Sequence, residues 1–552
     1  MKLLHAVNSS QKLLRNLGVG LLPLLAIASV FCQSAHPIVS CESLAKLELR
    51  EATVTMAQTV AAGEFKAPAQ SSGGPGGPGG PGGPAGTEAK RPGNPGGPGG
   101  GGPPTPFGSS DAIQPAFCRV ALTMKPSGDS DIKMEMWLPL SGWNGKYFGA
   151  GNFGWGGRIM YDGLLLGVKN GYAVANNDTG HTDALGSTGQ FALGHPDKVV
   201  DYGYRANHEM TLQAKAIIRA FYGVAPKHSY WVGCSLGGQQ GMTEVQRFPD
   251  DYDGIVVGAP ANPIARLNAW QIWPSVLINQ DPARAIPQSK SAMVSQAILN
   301  KCDALDGVKD GILENPLRCN FDPQELLCKG PDTPGCLTAP QVDLLKLLYK
   351  GPVNPRTGQL IFAPMAPGNV GNLSGGNPMG VALGLYQNLV FQDPDWDWRT
   401  LNLDRDVAFA DKVLGTVNLA DNPNLKPFFD RGGKLLMYHG WLDGSSPVET
   451  FNYYKSVLKT VGPQASDSMR VFSIPGMGHC SGGPGCDTFD KLAVIDQWVE
   501  TGKAPECIVA SKLTNGKVTR THPICAYPKV AVYKGTGSTD EAENFICSEE
   551  TP

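Results

Sequence analysis

Apolar positions fall along the chain in zones with different periods, and each zone predicts a different kind of structure. An apolar run from Leu17 to Phe31 follows Lys2, Lys12 and Arg15 and gives way to small and polar residues. A basic segment before an apolar stretch of roughly 15 residues predicts a cleaved secretory signal, since a membrane span needs about 20. Ala26-Ile27-Ala28 satisfies the small-x-small cleavage pattern, and Gln33-Ser34-Ala35 is the alternative that assigns residues 1–35 to the signal. Phe31 stands where a lipidated Cys32 would need a small residue, which disfavours a lipoprotein. From Ser71 to Pro106 Gly and Pro dominate, with GGP repeated through Gly73 to Pro84. So few apolar residues bury nothing, and a disordered surface loop is expected.

Strand-like runs come next: Arg119 to Met124, Ile132 to Leu138, Gly145 to Gly149 and Gly171 to Asn176. A helical pattern covers His208 to Phe221, followed by a short buried strand, Ser229 to Gly233. Strand followed by helix, repeated, predicts an α/β sheet.

Composition narrows the partners. The 552 residues are 41% hydrophobic and 17% charged, with a net charge of -3 and no basic stripe. That is enough for a large core and argues against nucleic acid, leaving a small or neutral substrate. The chain has 13 cysteines. Cleavage after Ala35 would remove Cys32, leaving an even set that allows up to six disulfides in the oxidising compartment of a secreted or periplasmic protein. Spacing alone suggests Cys302 with Cys319 and Cys328 with Cys336, each closing a short loop.

Three segments carry chemistry. The strand HSYWVG runs into Gly233-Cys234-Ser235-Leu236-Gly237 and then into a helical stretch from Gln239 to Phe248. This is the strand-turn-helix context that gives GxSxG its meaning: small residues surround a strained serine nucleophile. The Leu236 N–H at the helix start is set to stabilise an oxyanion. A second strand, Lys434 to His439, ends in HGWLDGSSP, and a third, Arg470 to Ile474, precedes PGMGHCSGG. Asp443 past the strand end and His479 beyond it complete the order Ser, Asp, His of an α/β-hydrolase. The bland reading of Asp443 is an Asx-turn residue before Gly444. His439 is the competing imidazole, but it precedes the acid, which is the wrong order. If Ser235 and His479 meet, Cys234 and Cys480, each one residue away, also meet, and a disulfide between them would staple nucleophile to base.

The third segment, CDALDGVKDGILENPLRC, holds Asp303, Asp306 and Asp310, with Gly307 and Gly311 permitting tight turns. Carboxylates brought close repel unless a hard cation lies among them, and the carbonyls of Val308 and Ile312 would extend an oxygen shell for Ca²⁺. A solvated acidic loop explains the spacing equally well.

With CSLGGQQG, CDALDGVKDGIL, DPDWDW (Asp393 to Trp398), HGWLDGSSP and GHCSGG assembled, the chain resembles the tannase and feruloyl esterase family, which includes a bacterial mono(2-hydroxyethyl) terephthalate hydrolase. The resemblance covers nearly all of the chain outside the leader and the Gly/Pro stretch. It implies an α/β-hydrolase core in two parts, 36–261 and 431–552, with a large lid domain at 262–430 inserted after the strand Gly254 to Gly258. It implies the triad Ser235, Asp443 and His479, the Cys234–Cys480 disulfide, and a structural Ca²⁺ at Asp303, Asp306, Val308, Asp310 and Ile312. It adds the pairs Cys41 with Cys118 and Cys507 with Cys525, leaving Cys486 with Cys547 as a sixth. The second oxyanion donor would come from Gly154 in GAGNFGWGG, although Phe153 and Trp155 interrupt the usual glycine run. No organic cofactor is implied.

The expected function is secreted ester hydrolysis through an acyl-serine, acting on a small aromatic ester. Trp270, Trp273, Tyr386, Phe391, Trp396 and Trp398 suit a flat acyl group, although lid packing explains most of them as well. Between Arg356 and Arg399 there is neither Arg nor Lys. A clamp for a terephthalate-type carboxylate is therefore missing there, which favours a neutral feruloyl or galloyl group. Two other classes remain open at this level, a serine peptidase and a non-catalytic calcium-stabilised binding protein.

Overall fold

The computed structural model describes residues 36–68, 113–182, 188–368, 370–371, 373–415 and 417–549. The signal segment and the Gly/Pro stretch lie outside the described residues. A nine-stranded sheet organises the molecule. Its strands are β1 (Ala52–Val60), β2 (Phe117–Met124), β3 (Ile132–Pro139), β4 (Lys146–Ala150), β5 (Ala173–Asn177), β6 (His228–Cys234), β7 (Gly254–Gly258), β8 (Lys434–Gly440) and β9 (Met469–Ile474). In space they run β1-β2-β3-β5-β4-β6-β7-β8-β9. From β5 to β9 every neighbouring pair is parallel, while β1, β2, β3 and β5 pair antiparallel.

The parallel strands are buried on both faces, as their continuous apolar composition requires. Side-chain alternation divides them between two layers. Ile255, Val257, Leu435 and Met437 pack with Ile217, Phe221, Met242 and Val457 from the helices Ala206–Tyr222, Leu236–Arg247 and Val448–Val461. Val256, Leu436 and Tyr438 point the other way, onto Leu164, Val168, Ile495 and Trp498 of Tyr161–Lys169 and Lys491–Thr501. This is the α/β-hydrolase-like arrangement expected from the sequence. The edge strand β1 escaped that reading because ATVTMAQTV buries few of its positions.

The chain between β7 and β8 leaves the sheet and builds helices Ile264–Gln280, Gln288–Cys302, Ala339–Lys350 and Arg405–Leu414. One cluster of this insertion has its own core around Ile278, Ile298, Leu345 and Leu348. Another joins Ile264, Ile272, Tyr386 and Leu389 to Trp155 and Leu236 of the sheet side, so the insertion rests on the loops that follow β4 and β6. After the last sheet helix come two hairpins, β10 (Cys507–Thr514) with β11 (Lys517–Cys525) and β12 (Lys529–Tyr533) with β13 (Phe545–Glu549). Among the described residues no helix is long and apolar enough to cross a membrane.

Disulfides join Cys41–Cys118, Cys234–Cys480, Cys302–Cys319, Cys328–Cys336 and Cys525–Cys547. Multiple disulfides fit an extracellular protein. The last pair corrects two expectations: Cys507 is not bonded to Cys525, nor Cys486 to Cys547. Register does put Cys507 opposite Cys525 across β10 and β11. Cys547 on β13 reaches the same place, so the sulfurs of Cys507, Cys525 and Cys547 lie within 4.8 Å of one another. A sulfur takes one partner, and Cys525 takes Cys547. Cys507 is an exposed thiol and Cys486 a buried one, whose pKa burial pushes up to about 11.

Candidate active site

Ser235 follows the last residue of β6 and precedes the helix Leu236–Arg247, with φ 61° and ψ -119°. A non-glycine residue in this region is strained, and such strain persists only where its surroundings fix it. Here the chain folds back on itself too tightly for side chains. A Cβ on Gly233 would lie 2.2 Å from the Gly237 carbonyl oxygen, and one on Gly237 2.9 Å from that of Asn152. The Gly237 N–H donates to the Asn152 carbonyl at 2.8 Å, docking the loop after β4 against the elbow.

That loop contains Gly154, half-buried with φ 57°. Its neighbours' amides are engaged: Gly151 N–H donates to Val232, Asn152 N–H to Gln240 Oε1, Gly156 N–H to Phe153 and Gly157 N–H to Asp178. Among the described residues the Gly154 N–H has no such partner, and neither do those of Phe153 and Trp155. Leu236 opens its helix, where backbone N–H groups lack intrahelical acceptors.

Asp443 lies on the turn after β8 and is 5% exposed. Its Oδ1 accepts from the Ser445 N–H at 2.8 Å and the Ser445 hydroxyl at 2.9 Å. Its Oδ2 faces two imidazoles, His479 Nδ1 at 2.7 Å and His439 Nε2 at 3.0 Å. Burial opposes the charge, but the two histidines outweigh it and hold the carboxyl well below the usual carboxylate range. His479 is raised above its ordinary value: burial works against its charge and Asp443 more than compensates. The His479 side chain remains 43% exposed.

The next residue, Cys480, also has positive φ, 65°. Its disulfide to Cys234 brings the two Cα atoms to 5.9 Å, holding the serine and histidine loops together. Among the described residues no hydrogen bond joins Ser235 to His479. Sequence reasoning set His439 aside as a rival base and missed its contact with Asp443, together with both Ser445 contacts.

The acidic segment coils as its glycines allow, with Gly307 and Gly311 at φ 88° and 80°. Asp303 accepts from the Gly311 N–H, Asp306 from Val308 N–H and Asp310 from Ile312 N–H. Burial, then Glu314, Asp310 and Asp303, push the Asp306 carboxyl up to about 6. The three aspartates do not converge within 4.8 Å of one another. Arg520 reaches Asp310 at 3.1 Å, and Glu314 is held by His522 at 3.0 Å and by the Ala531 N–H. The donors are hard oxygens, the chemistry Ca²⁺ takes.

The aromatic residues of the insertion pack internally. Tyr386 is fully buried, donates to the Ala265 carbonyl and stacks on Trp396, while Phe391 packs on both. Trp398 is buried and Trp273 packs in the insertion's own core. Trp270 packs on Phe362 with its Nε1 buried and unpartnered.

Residues 118–548 match the family model described as tannase and feruloyl esterase. An uncharacterized esterase of Xanthomonas campestris pv. campestris is 35% identical, over 96% of this chain and 94% of that protein. A probable feruloyl esterase B-2 of Aspergillus flavus is 34% identical, over 72% of this chain and 80% of its own length. Among solved structures, feruloyl esterase B from Aspergillus oryzae superposes with a TM-score of 0.78 at 31% identity, covering 92% of this chain and 99% of that one. The tannin acyl hydrolase of Aspergillus niger, at 21% identity and a TM-score of 0.70 over 91% of this chain and 92% of its own, shares the fold. With a family match spanning most of the sequence and relatives that align on both the sheet and the insertion, the chain belongs to the tannase and feruloyl esterase family.

Proposed function

We propose that the chain hydrolyses esters of neutral phenolic acids, of the feruloyl or galloyl kind, through an acyl-serine intermediate. Family membership makes it a carboxylic ester hydrolase of the feruloyl or tannin type. Which residues act, and on which acyl group, is our reading. The observation that carries it is the 2.7 Å hydrogen bond from His479 Nδ1 to Asp443, fixed one residue from a disulfide whose other end adjoins Ser235.

Ser235 attacks the ester carbonyl while His479 takes its proton through Nε2. Asp443 fixes the tautomer that leaves Nε2 free to accept, and stabilises the imidazolium that forms. The Leu236 N–H and the Gly154 N–H hold the tetrahedral oxyanion, His479 returns the proton to the departing alcohol, and water then hydrolyses the acyl-enzyme by the same path reversed. A neutral acyl group is supported by the lack of Lys and Arg between Arg356 and Arg399 and by the engagement of Arg266 with Asp411 at 3.0 Å. Structural Ca²⁺ held by Asp303, Asp306, Val308, Asp310 and Ile312, and export as a secreted or periplasmic protein, belong to the same proposal. The ion would fix the insertion and take no part in the reaction, which needs no organic cofactor.

Rates on methyl ferulate, methyl gallate and mono(2-hydroxyethyl) terephthalate test the acyl assignment, and a clear preference for the last would overturn it. Amide analogues should turn over far more slowly than esters. Ser235→Ala should abolish turnover with the fold intact, and retained activity would sink the mechanism.

A further inference from the structure

We propose that His439 is a positioning residue for the ester hydrolysis: it fixes the Asp443 carboxylate so that one oxygen is presented to His479. The inference rests on the assignment of Ser235, Asp443 and His479 made above, and adds a fourth side chain to it.

His439 is the next-to-last residue of β8, and its side chain is 3% exposed. Both ring nitrogens are engaged, Nε2 with Asp443 Oδ2 at 3.0 Å and Nδ1 with Thr450 Oγ1 at 2.8 Å. An ionised carboxylate only accepts, so the nitrogen facing it carries the proton. Nδ1 meets the Thr450 hydroxyl, so Thr450, His439 and Asp443 form a continuous chain in which His439 donates to Asp443. Thr450 belongs to the helix Val448–Val461, so the chain ties the acid to a rigid element.

The geometry excludes His439 as the proton-transferring base, because the ring is enclosed and neither nitrogen is free. It also explains why the acid needs such a partner. His479 is half-exposed, and among the described residues the Asp443 oxygen is its one hydrogen-bond partner. Ser445 pins Oδ1, while without His439 the Oδ2 atom would, among the described residues, keep only the contact with His479 itself. His439 supplies a second contact from the buried side.

Removing the donor should therefore affect turnover more than binding. Steady-state kinetics on methyl ferulate should give His439→Leu a kcat about tenfold or more below the parent, with KM within about twofold. His439→Gln can still offer an N–H to Asp443 and should recover most of the loss. On an Asp443→Asn background His439→Leu should cost far less than alone, because its target is gone. The proposal falls if His439→Leu keeps kcat within about twofold, if leucine and glutamine are equally impaired, or if the loss is undiminished beside Asp443→Asn. Should the leucine variant fail to fold, Thr450→Val takes its place: it removes the partner of Nδ1 and should lower kcat at constant KM, and an unchanged kcat overturns the proposal. Full activity in Ser235→Ala or Asp443→Asn would instead overturn the triad assignment, and is read separately.

Discussion

Cys507 and Cys525 face each other in register across β10 and β11, yet Cys525 is bonded to Cys547, leaving a thiol beside a disulfide. Exposure makes Cys507 the accessible one of the two thiols among the described residues, while Cys486 is enclosed. Although the residue is exposed, partial desolvation of its sulfur raises the Cys507 pKa, so alkylation should be slow at neutral pH and quicken as pH rises. Peptide mapping after native maleimide treatment should find the label on Cys507 and not on Cys486, which should be labelled only in denaturant. Label on Cys547 with Cys507 bonded to Cys525 would mean that the sulfurs had exchanged partners.

Gly440 ends β8 where the histidine loop crosses it. A Cβ there would lie 2.3 Å from the Met477 carbonyl oxygen and 2.5 Å from that of Gly478. Backbone cannot yield as a side chain does, so Gly440→Ala should displace the segment carrying His479. Denaturant titration should register a loss of about 2 to 4 kcal/mol, accompanied by a sharp fall in kcat/KM.

With His479 as the proposed base, the pH dependence of kcat/KM should report its titration, since it must be neutral to accept the serine proton. Asp443 raises its pKa above the ordinary histidine value despite burial. Activity should therefore fall on acidification with a midpoint above pH 6.5, the ordinary value. Asp443→Asn should move that midpoint down as well as reduce the rate. An unmoved midpoint would assign the titration to another group.

Asp178, whose carbonyl holds Gly157 of the loop after β4, is 6% exposed. Burial raises its pKa to about 7 against the amide hydrogen bonds from Gly180 and Lys133. The folded state then binds a proton more tightly than the unfolded chain, so this group's stability is fully present below about pH 4 and lost as pH rises through about 7. Asp178→Asn keeps an acceptor and removes the titration. Its stability relative to the parent should grow between pH 4 and 7 by up to about 4 kcal/mol, measured by denaturant midpoints.

Chelation tests the calcium proposal without recourse to activity. EDTA should lower the thermal midpoint and added Ca²⁺ restore it, while Asp306→Asn should start low and respond to neither. No change in the parent would remove the ion from the account.

The serine elbow was legible in the sequence because everything that defines it is local: an apolar strand, small residues and a helix start within a few positions. The contact between His479 and Asp443 was legible through chain order. His439 was set aside as the base by chain order, and both its ring nitrogens are engaged; its contact with Asp443 was not legible, since it depends on how the turn from Gly440 to Asp443 brings the acid back over the strand. The C-terminal hairpins left no comparable signal. Arg520 and His522 meet Asp310 and Glu314 from some two hundred positions away, and nothing nearby in sequence marks them as partners. The choice of Cys547 over Cys507 likewise needed a third strand. Tyr386, a plausible substrate contact by type, is fully buried within the insertion's packing.

The Cys234–Cys480 bond spans 246 positions, and the whole insertion between β7 and β8 hangs inside the ring it closes. A protease that cuts the insertion once does not divide the molecule: the fragment ending the serine side and the fragment bearing the acid and histidine stay joined until reduced. Nicked enzyme should migrate as one species without reductant and as two with it. Clipping during growth or storage could thus pass unnoticed on an unreduced gel, and the two halves of the site would still be present in equal numbers in every molecule.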